Sequence, residues 1–267
     1  MNSKMRKMLK RFVFMELVAG FLLTQAGCFY LQQGERPEII AVYTPSPVKL
    51  DGKLDEEIWK KAPVYTMKHV KTFFSTSSRE VQRYFQKGVV NPGYVRLLWD
   101  PDYLYVGMEL FDEDVVAEGK EDQEIHTAKG DVAVVCLKPA NRSWFWELHV
   151  TPRAHKTTSF TFCRGRSGLQ NNSRKGVLKG MHAGAFVSGT LNNPEDRDIK
   201  WTAEIAIPAA ELSAEGERFS PQIPWLILFG RFNYSCWLPA RENSSFPEQE
   251  RMRYDYYEDY GKLKLMK

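Results

Sequence analysis

The stretch Tyr94–Asp112, YVRLLWDPDYLYVGMELFD, does most to restrict what this chain can fold into. Two runs rich in β-branched and aromatic residues flank Asp100-Pro101-Asp102, the pattern of an antiparallel hairpin. In the second run Leu104, Val106, Met108 and Leu110 alternate with Tyr103, Tyr105, Gly107 and Glu109. Successive side chains of a strand point to opposite faces. One face is therefore aliphatic and suited to a core, and the other, aromatic with a single charge, is expected to be partly exposed.

Similar short runs recur on either side. They are EIIAVYT (38–44), DVAVVCLKP (131–139), WFWELHVTP (144–152), TTSFTF (157–162), AGAFVSGTL (183–191), IKWTAEIAIP (199–208), PWLILFGRFNYSCW (224–237) and GKLKLM (261–266). About ten short strands with few helices predict an all-β domain, a two-sheet antiparallel β-sandwich of jelly-roll type with one or two short helices. One helix is expected in LDEEIWKKA (54–62), after the Asp51-Gly52 turn, capped by Asp55 and stopped by Pro63. A second is expected in PAAELSAEG (208–216), and residues 68–92 read as a long loop with one helical turn.

The first 27 residues read as an export signal: a basic start (Lys4, Arg6, Lys7, Lys10, Arg11), an apolar run, then TQAGC. Ala26-Gly27-Cys28 is a lipobox-like end at which Cys28 would carry lipid, although Gln25 is unusual there, and an ordinary signal cleaved nearby is the alternative. The expected organisation is a signal peptide over 1–27, a tether over 28–38 and one domain over 39–267, placed at the bacterial envelope as a periplasmic or outer-surface lipoprotein. The chain carries 37 Lys and Arg against 33 Asp and Glu, but residues 1–27 hold five of the bases and one acid. The remaining 32 of each sign leave a neutral domain with no electrostatic case for nucleic acid. One acid-free basic stretch, Arg153–Gly176, reads as a solvated loop surface that an anionic partner could contact. Cys136 lies in an apolar run and reads as buried; Cys163 and Cys236 are the preferred pair if a disulfide forms.

Four segments together carry a resemblance. VKLDGKLDEEIWKKAP (48–63) with VRLLWDPDYLYVGMELFDEDV (95–115), GTLNNPEDRDIKWTAEIAIPAAEL (189–212), PWLILFGRFNYS (224–235) and YEDYGKLKL (257–265) resemble, in order, the family 9 carbohydrate-binding modules and the wider group similar to them. The resemblance implies a β-sandwich that binds polysaccharides or their ends, in some members with structural calcium. Asp112, Asp114, Asp131 and Glu147 match acidic positions of the family, whereas Val134, Lys138 and Thr151 stand where it usually has polar or acidic residues.

Sugar recognition needs exposed aromatic rings and planar polar groups. Trp59, Trp99, Trp201 and Trp225 read as structural. Trp144 and Trp146, on one side of a strand, and Trp237, at the edge of a polar loop, are the candidate stacking residues, with Glu147, Arg153 and Arg231 as hydroxyl or carboxylate partners. Asp112, Asp114, Asp196 and Asp198 offer hard oxygen ligands for calcium, without the spacing of a complete calcium loop. The chain contains no nucleophile elbow, His-Glu-x-x-His or phosphate loop, so non-catalytic carbohydrate binding is expected. The alternative is an envelope structural or interaction domain that reuses the fold without a glycan.

Overall fold

The hairpin is held at its turn by one carboxylate. Asp100 Oδ1 accepts the amides of Asp102 (2.8 Å) and Tyr103 (2.7 Å), and Oδ2 accepts the Tyr105 hydroxyl (2.7 Å). This fixes a register running from Trp99 opposite Leu104 to Gly93 opposite Leu110. In this computed structural model the described residues are 35–70, 79–85, 87–165 and 172–267. The export signal, Cys28, most of the tether and Arg166 lie outside them. Pro37–Lys267 is one compact unit.

The strands, in chain order, are β1 (Glu38–Tyr43), β2 (Tyr65–Thr66), β3 (Lys68–His69), β4 (Gly93–Trp99), β5 (Tyr103–Phe111), β6 (Val132–Pro139) and β7 (Phe145–Val150). There follow β8 (Lys156–Thr161), β9 (Ser173–Lys175), β10 (His182–Ser188), β11 (Lys200–Pro208), β12 (Trp225–Asn233), β13 (Glu242–Phe246) and β14 (Gly261–Met266). Among the described residues, two short α-helices, α1 (Arg79–Phe85) and α2 (Ala209–Ser213), complete the regular structure with a few 3-10 turns.

The all-β expectation holds, but the hydrogen-bonded ladder is unbroken, in the order β10-β11-β5-β4-β1-β14-β12-β6-β7-β8-β9. The fully antiparallel expectation needs correction at its centre. β1 runs parallel to both of its neighbours, β14 and β4, because the long intervening chain allows a crossover that a tight turn would not. Around this seam the sheet curls. Val106 and Ile205 of one arm share a single buried cluster with Val135, Leu148 and Ile227 of the other, and Trp146 stacks on Trp225 at 5.8 Å.

Each arm also has a covered outer face. Tyr260, Tyr257 and neighbours close over Val134, Cys136 and Leu228. On the other arm Val48–Ala62 lies across Leu98, Tyr105 and Ala206, so the aromatic face of β5 is covered at Tyr105 and Gly107 and stays half-buried at Tyr103 and Glu109. Gly107 permits this, since a Cβ there would stand 2.6 Å from Leu54 Cδ2. The helix expected over 54–62 is reduced to a 3-10 turn at Trp59–Lys61, and Asp55 does not cap it. The segment is instead held by Glu204, whose carboxylate accepts the Gly52 amide (2.7 Å) and Trp59 Nε1–H (2.9 Å), while Thr202 Oγ1 donates to the Gly52 carbonyl. Gly52 sits at φ +83° with its Cβ position against the Ala185 backbone, so glycine is required twice over.

Burial raises the Glu204 carboxyl from its ordinary 4.5 to about 7, against the two N–H groups it accepts. The folded protein thus holds this proton more tightly than the unfolded chain. The stability this provides is complete below about pH 4.5 and is lost as pH rises through about 7. Glu204→Gln should flatten the dependence of the melting midpoint across that window relative to wild type. Glu204→Ala should cost about 2–4 kcal/mol in urea denaturation by leaving two buried donors unpaired.

Candidate functional site

Four loops meet at one end of the sheet: 112–131, 151–156, 189–198 and 234–241. Carboxylates tie them together by accepting backbone amides. Asp198 takes Val115 N (2.6 Å) and Thr190 N (2.6 Å); Asp131 takes Val116 N (2.7 Å) and Tyr234 N (2.7 Å); Asp114 takes Cys236 N (2.6 Å). Beneath them Arg231 Nη2 donates to Asp112 at 2.8 Å, with side chains 1% and 0% exposed, and Arg231 Nη1 donates to the Asn91 carbonyl at 3.0 Å. Burial raises Asp112 to about 6 against the pull of Arg231. Burial, then the charge of Asp112, raises Asp131 well above its ordinary value.

On this base sits a cavity of about 450 Å³ lined by Glu118, Gly119, Lys120, Arg153, His155 and Asn192. Its walls are locked at one peptide. Asn192 Oδ1 accepts Ala117 N–H (2.7 Å), and the Ala117 carbonyl receives both Asn192 Nδ2 (3.1 Å) and Arg153 Nε (2.9 Å). Ala117 bridges Gly130, whose φ of +133° and contact with the Val116 carbonyl exclude a Cβ. His155 lies parallel to His126, with centroids 6.4 Å apart. His126 is buried and neither of its ring nitrogens has a partner among the described residues; burial lowers its pKa.

Of the expected sugar-contacting residues, Arg153 alone reaches the cavity. Trp146 is 1% exposed and packs within the core against Trp225 and Phe160, which corrects the expectation that it stacks on a ligand. Trp144 is half-buried, edge-on to Trp146 at 4.9 Å, so the pair forms no flat platform. Trp237 is 41% exposed, with the Arg197 guanidinium 4.3 Å above its ring. Glu147, on the outer side of β7, accepts from or shares a proton with His149 Nε2 at 2.8 Å. Arg231 is likewise corrected: it is the buried partner of Asp112, inaccessible to a ligand.

The acidic quartet is also corrected. Asp112, Asp114 and Asp198 are buried and committed to Arg231 or to amides, and Asp196 accepts from Thr190 Oγ1. Among the described residues no three His, Cys, Asp or Glu side chains are arranged to hold a metal ion. Cys136, Cys163 and Cys236 are free thiols, so the Cys163–Cys236 disulfide does not form. In the basic stretch, Lys156 pairs with Asp122, Arg164 with Glu258 and Arg174 with Glu215.

Sequence reasoning missed Glu118, Lys120, His155 and Asn192 as a group. Asn192 stands inside the quoted GTLNN turn, but nothing in the sequence shows that its amide clasps Ala117. The polar loop that Trp237 borders, LPARENSSF (238–246), gives way at Glu242 to strand β13, with Glu242 accepting Val90 N (2.6 Å) and Asn91 N (3.0 Å).

No family model and no curated protein sequence matches this chain. Solved structures do. A Bacteroides uniformis ATCC 8492 protein thought to bind carbohydrate superposes with a TM-score of 0.60 at 10% identity, covering 86% of this chain and 99% of that one. A family 9 carbohydrate-binding module from Caldicellulosiruptor kristjanssonii, in complex with cellotriose, gives 0.51 at 15% identity over 86% and 93% of the two chains. The same module with glucose gives 0.51 at 14% identity over 85% and 95%. The chain shares the fold of these structures. At these identities the likeness concerns the path of the chain, not the contents of the cavity.

Two outcomes check this arrangement. Arg231→Met should destabilise by about 3–5 kcal/mol in urea, because Asp112 is left buried without a counter-charge, whereas a chelator should leave the melting midpoint unchanged. In thiol titration of the native protein, Cys163→Ser and Cys236→Ser should each remove one fast-reacting thiol, and Cys136→Ser none.

Proposed function

We propose that this protein binds carbohydrate without catalysis, through the polar cavity at the loop end of its sheet. The two arms of the curled sheet act as the layers of a sandwich that presents those loops. Support comes chiefly from the cavity itself: about 450 Å³, pre-formed, and lined by groups able to exchange hydrogen bonds with hydroxyls. The fold shared with modules that hold cellotriose and glucose points the same way. The protein works at the bacterial cell envelope after export, held by lipid on Cys28. Mass analysis of the mature N-terminus tests that part, with a diacylated Cys28 expected.

A second reading, an envelope interaction domain with no glycan ligand, draws on the fate of the aromatic residues. Trp146 is in the core, Trp144 is half-buried and Trp237 lies under Arg197. The cavity reading therefore replaces an aromatic platform with polar contacts. A glycan array followed by calorimetry separates the possibilities. Arg153→Ala should weaken binding about tenfold or more, and Trp237→Ala by about twofold at most. Stronger loss from Trp237→Ala moves the contact to that loop. A folded protein that retains no glycan leaves the interaction-domain reading standing.

A further inference from the structure

We propose that the cavity selects saccharides bearing a carboxylate, that is, uronic acid residues, with Arg153 taking the carboxylate and Glu118 a ring hydroxyl. This rests on the carbohydrate reading and narrows it to a class of sugar.

Three observations carry the inference. First, none of the six lining residues is Phe, Tyr or Trp. Neutral pyranose rings are held largely by stacking on aromatic faces, and here His155 offers the one flat ring. Affinity must come from polar contacts, and those involving a charge on both sides are the stronger kind. Second, the charged groups that line the cavity are Arg153, Lys120 and Glu118, and two acids close by are already paired. Asp122 is paired with Lys156 at 2.9 Å and Glu124 with Lys129 at 2.8 Å. Arg153 is exposed and no carboxylate among the described residues pairs with it; Lys120 likewise has no acidic partner. The cavity thus presents two uncommitted cations against one uncommitted acid, Glu118. Third, Arg153 is pre-set. Its Nε is bonded to the Ala117 carbonyl at 2.9 Å, which fixes the guanidinium plane and reduces the ordering cost of a paired N–H···O contact to a carboxylate.

A uronic acid offers what this arrangement asks for: one anionic group for the cations and several hydroxyls for the remaining acid. A neutral hexose leaves Arg153 and Lys120 without a charged partner. A phosphate ester would satisfy the cations too, but would bring close to two negative charges beside Glu118; a sulfate ester has a carboxylate's single charge on a bulkier, tetrahedral group that does not match the planar guanidinium.

The test uses the purified full chain and calorimetric titration with galacturonic and glucuronic acid oligomers, their methyl esters and cellotriose. Esterification removes the charge and keeps the ring. An acid form bound about tenfold or more tightly than its ester, with a preference that weakens as salt is raised, is the expected result. Arg153→Ala should abolish the preference. Because Arg153 also braces the Ala117 peptide, Lys120→Ala serves as a second variant. It should reduce the preference about threefold at an unchanged melting midpoint. Equal affinity for acid and ester, or binding of cellotriose alone, overturns the uronate selection and leaves carbohydrate binding intact. A preference that survives both substitutions overturns the assignment to this cavity. A folded protein that binds none of the glycans overturns the carbohydrate reading itself.

Discussion

A guanidinium almost without contact with solvent anchors the start of the loop that supplies half of the cavity lining. Arg231 reaches from near the C-terminal end of β12 to Asp112, the residue after β5, and so joins the two arms of the curled sheet by charge as well as by apolar packing. Two buried carboxylates, Asp112 and Asp131, share its neighbourhood, and their raised proton affinities record how little water reaches them. The arrangement is costly in desolvation. In return it fixes where the loop 112–131 begins and ends, and the cavity is built upon that loop.

The acids around it illustrate how one residue type can serve two different ends. Aspartates at the ends of strands suggest a cation, and here they do attract positive partial charge, but that of peptide N–H groups. Asp114, Asp131 and Asp198 act as ready-made turns between segments far apart in the chain. A carboxylate that accepts two amides has little left to offer an ion.

What the sequence made legible follows from period. β5 shows its two-residue alternation openly, and its aliphatic set, Leu104, Val106, Met108 and Leu110, is buried as expected. Trp59 reads as structural, and Glu204 supplies the reason. Exposure was not legible. Alternation places Trp144 and Trp146 on one side of a strand, but both sides of β7 are covered, so side does not imply solvent. β13 was missed because Glu242-Asn243-Ser244-Ser245 lacks any apolar residue, and its burial depends on partners in β3, β12 and the Val90–Asn91 turn. Arg231 and Asp112 are 119 residues apart, and no local pattern announces their meeting. The cavity was hidden for the same reason, since its lining comes from three separate loops.

The parallel seam has a consequence for the order of assembly. β1 pairs residue by residue with β14, Glu38 beside Lys262 through Val42 beside Met266, and lies between the two arms. The hairpin β4–β5 and the meander β6–β7–β8 need only near neighbours and can form as the chain emerges. The seam needs both ends at once, and contacts of such long sequence separation form late. Until then the two arms are separate, half-cored sheets, each with an open edge where β1 or β14 will sit. The molecule is closed from the inside, by the last pair of strands to find one another.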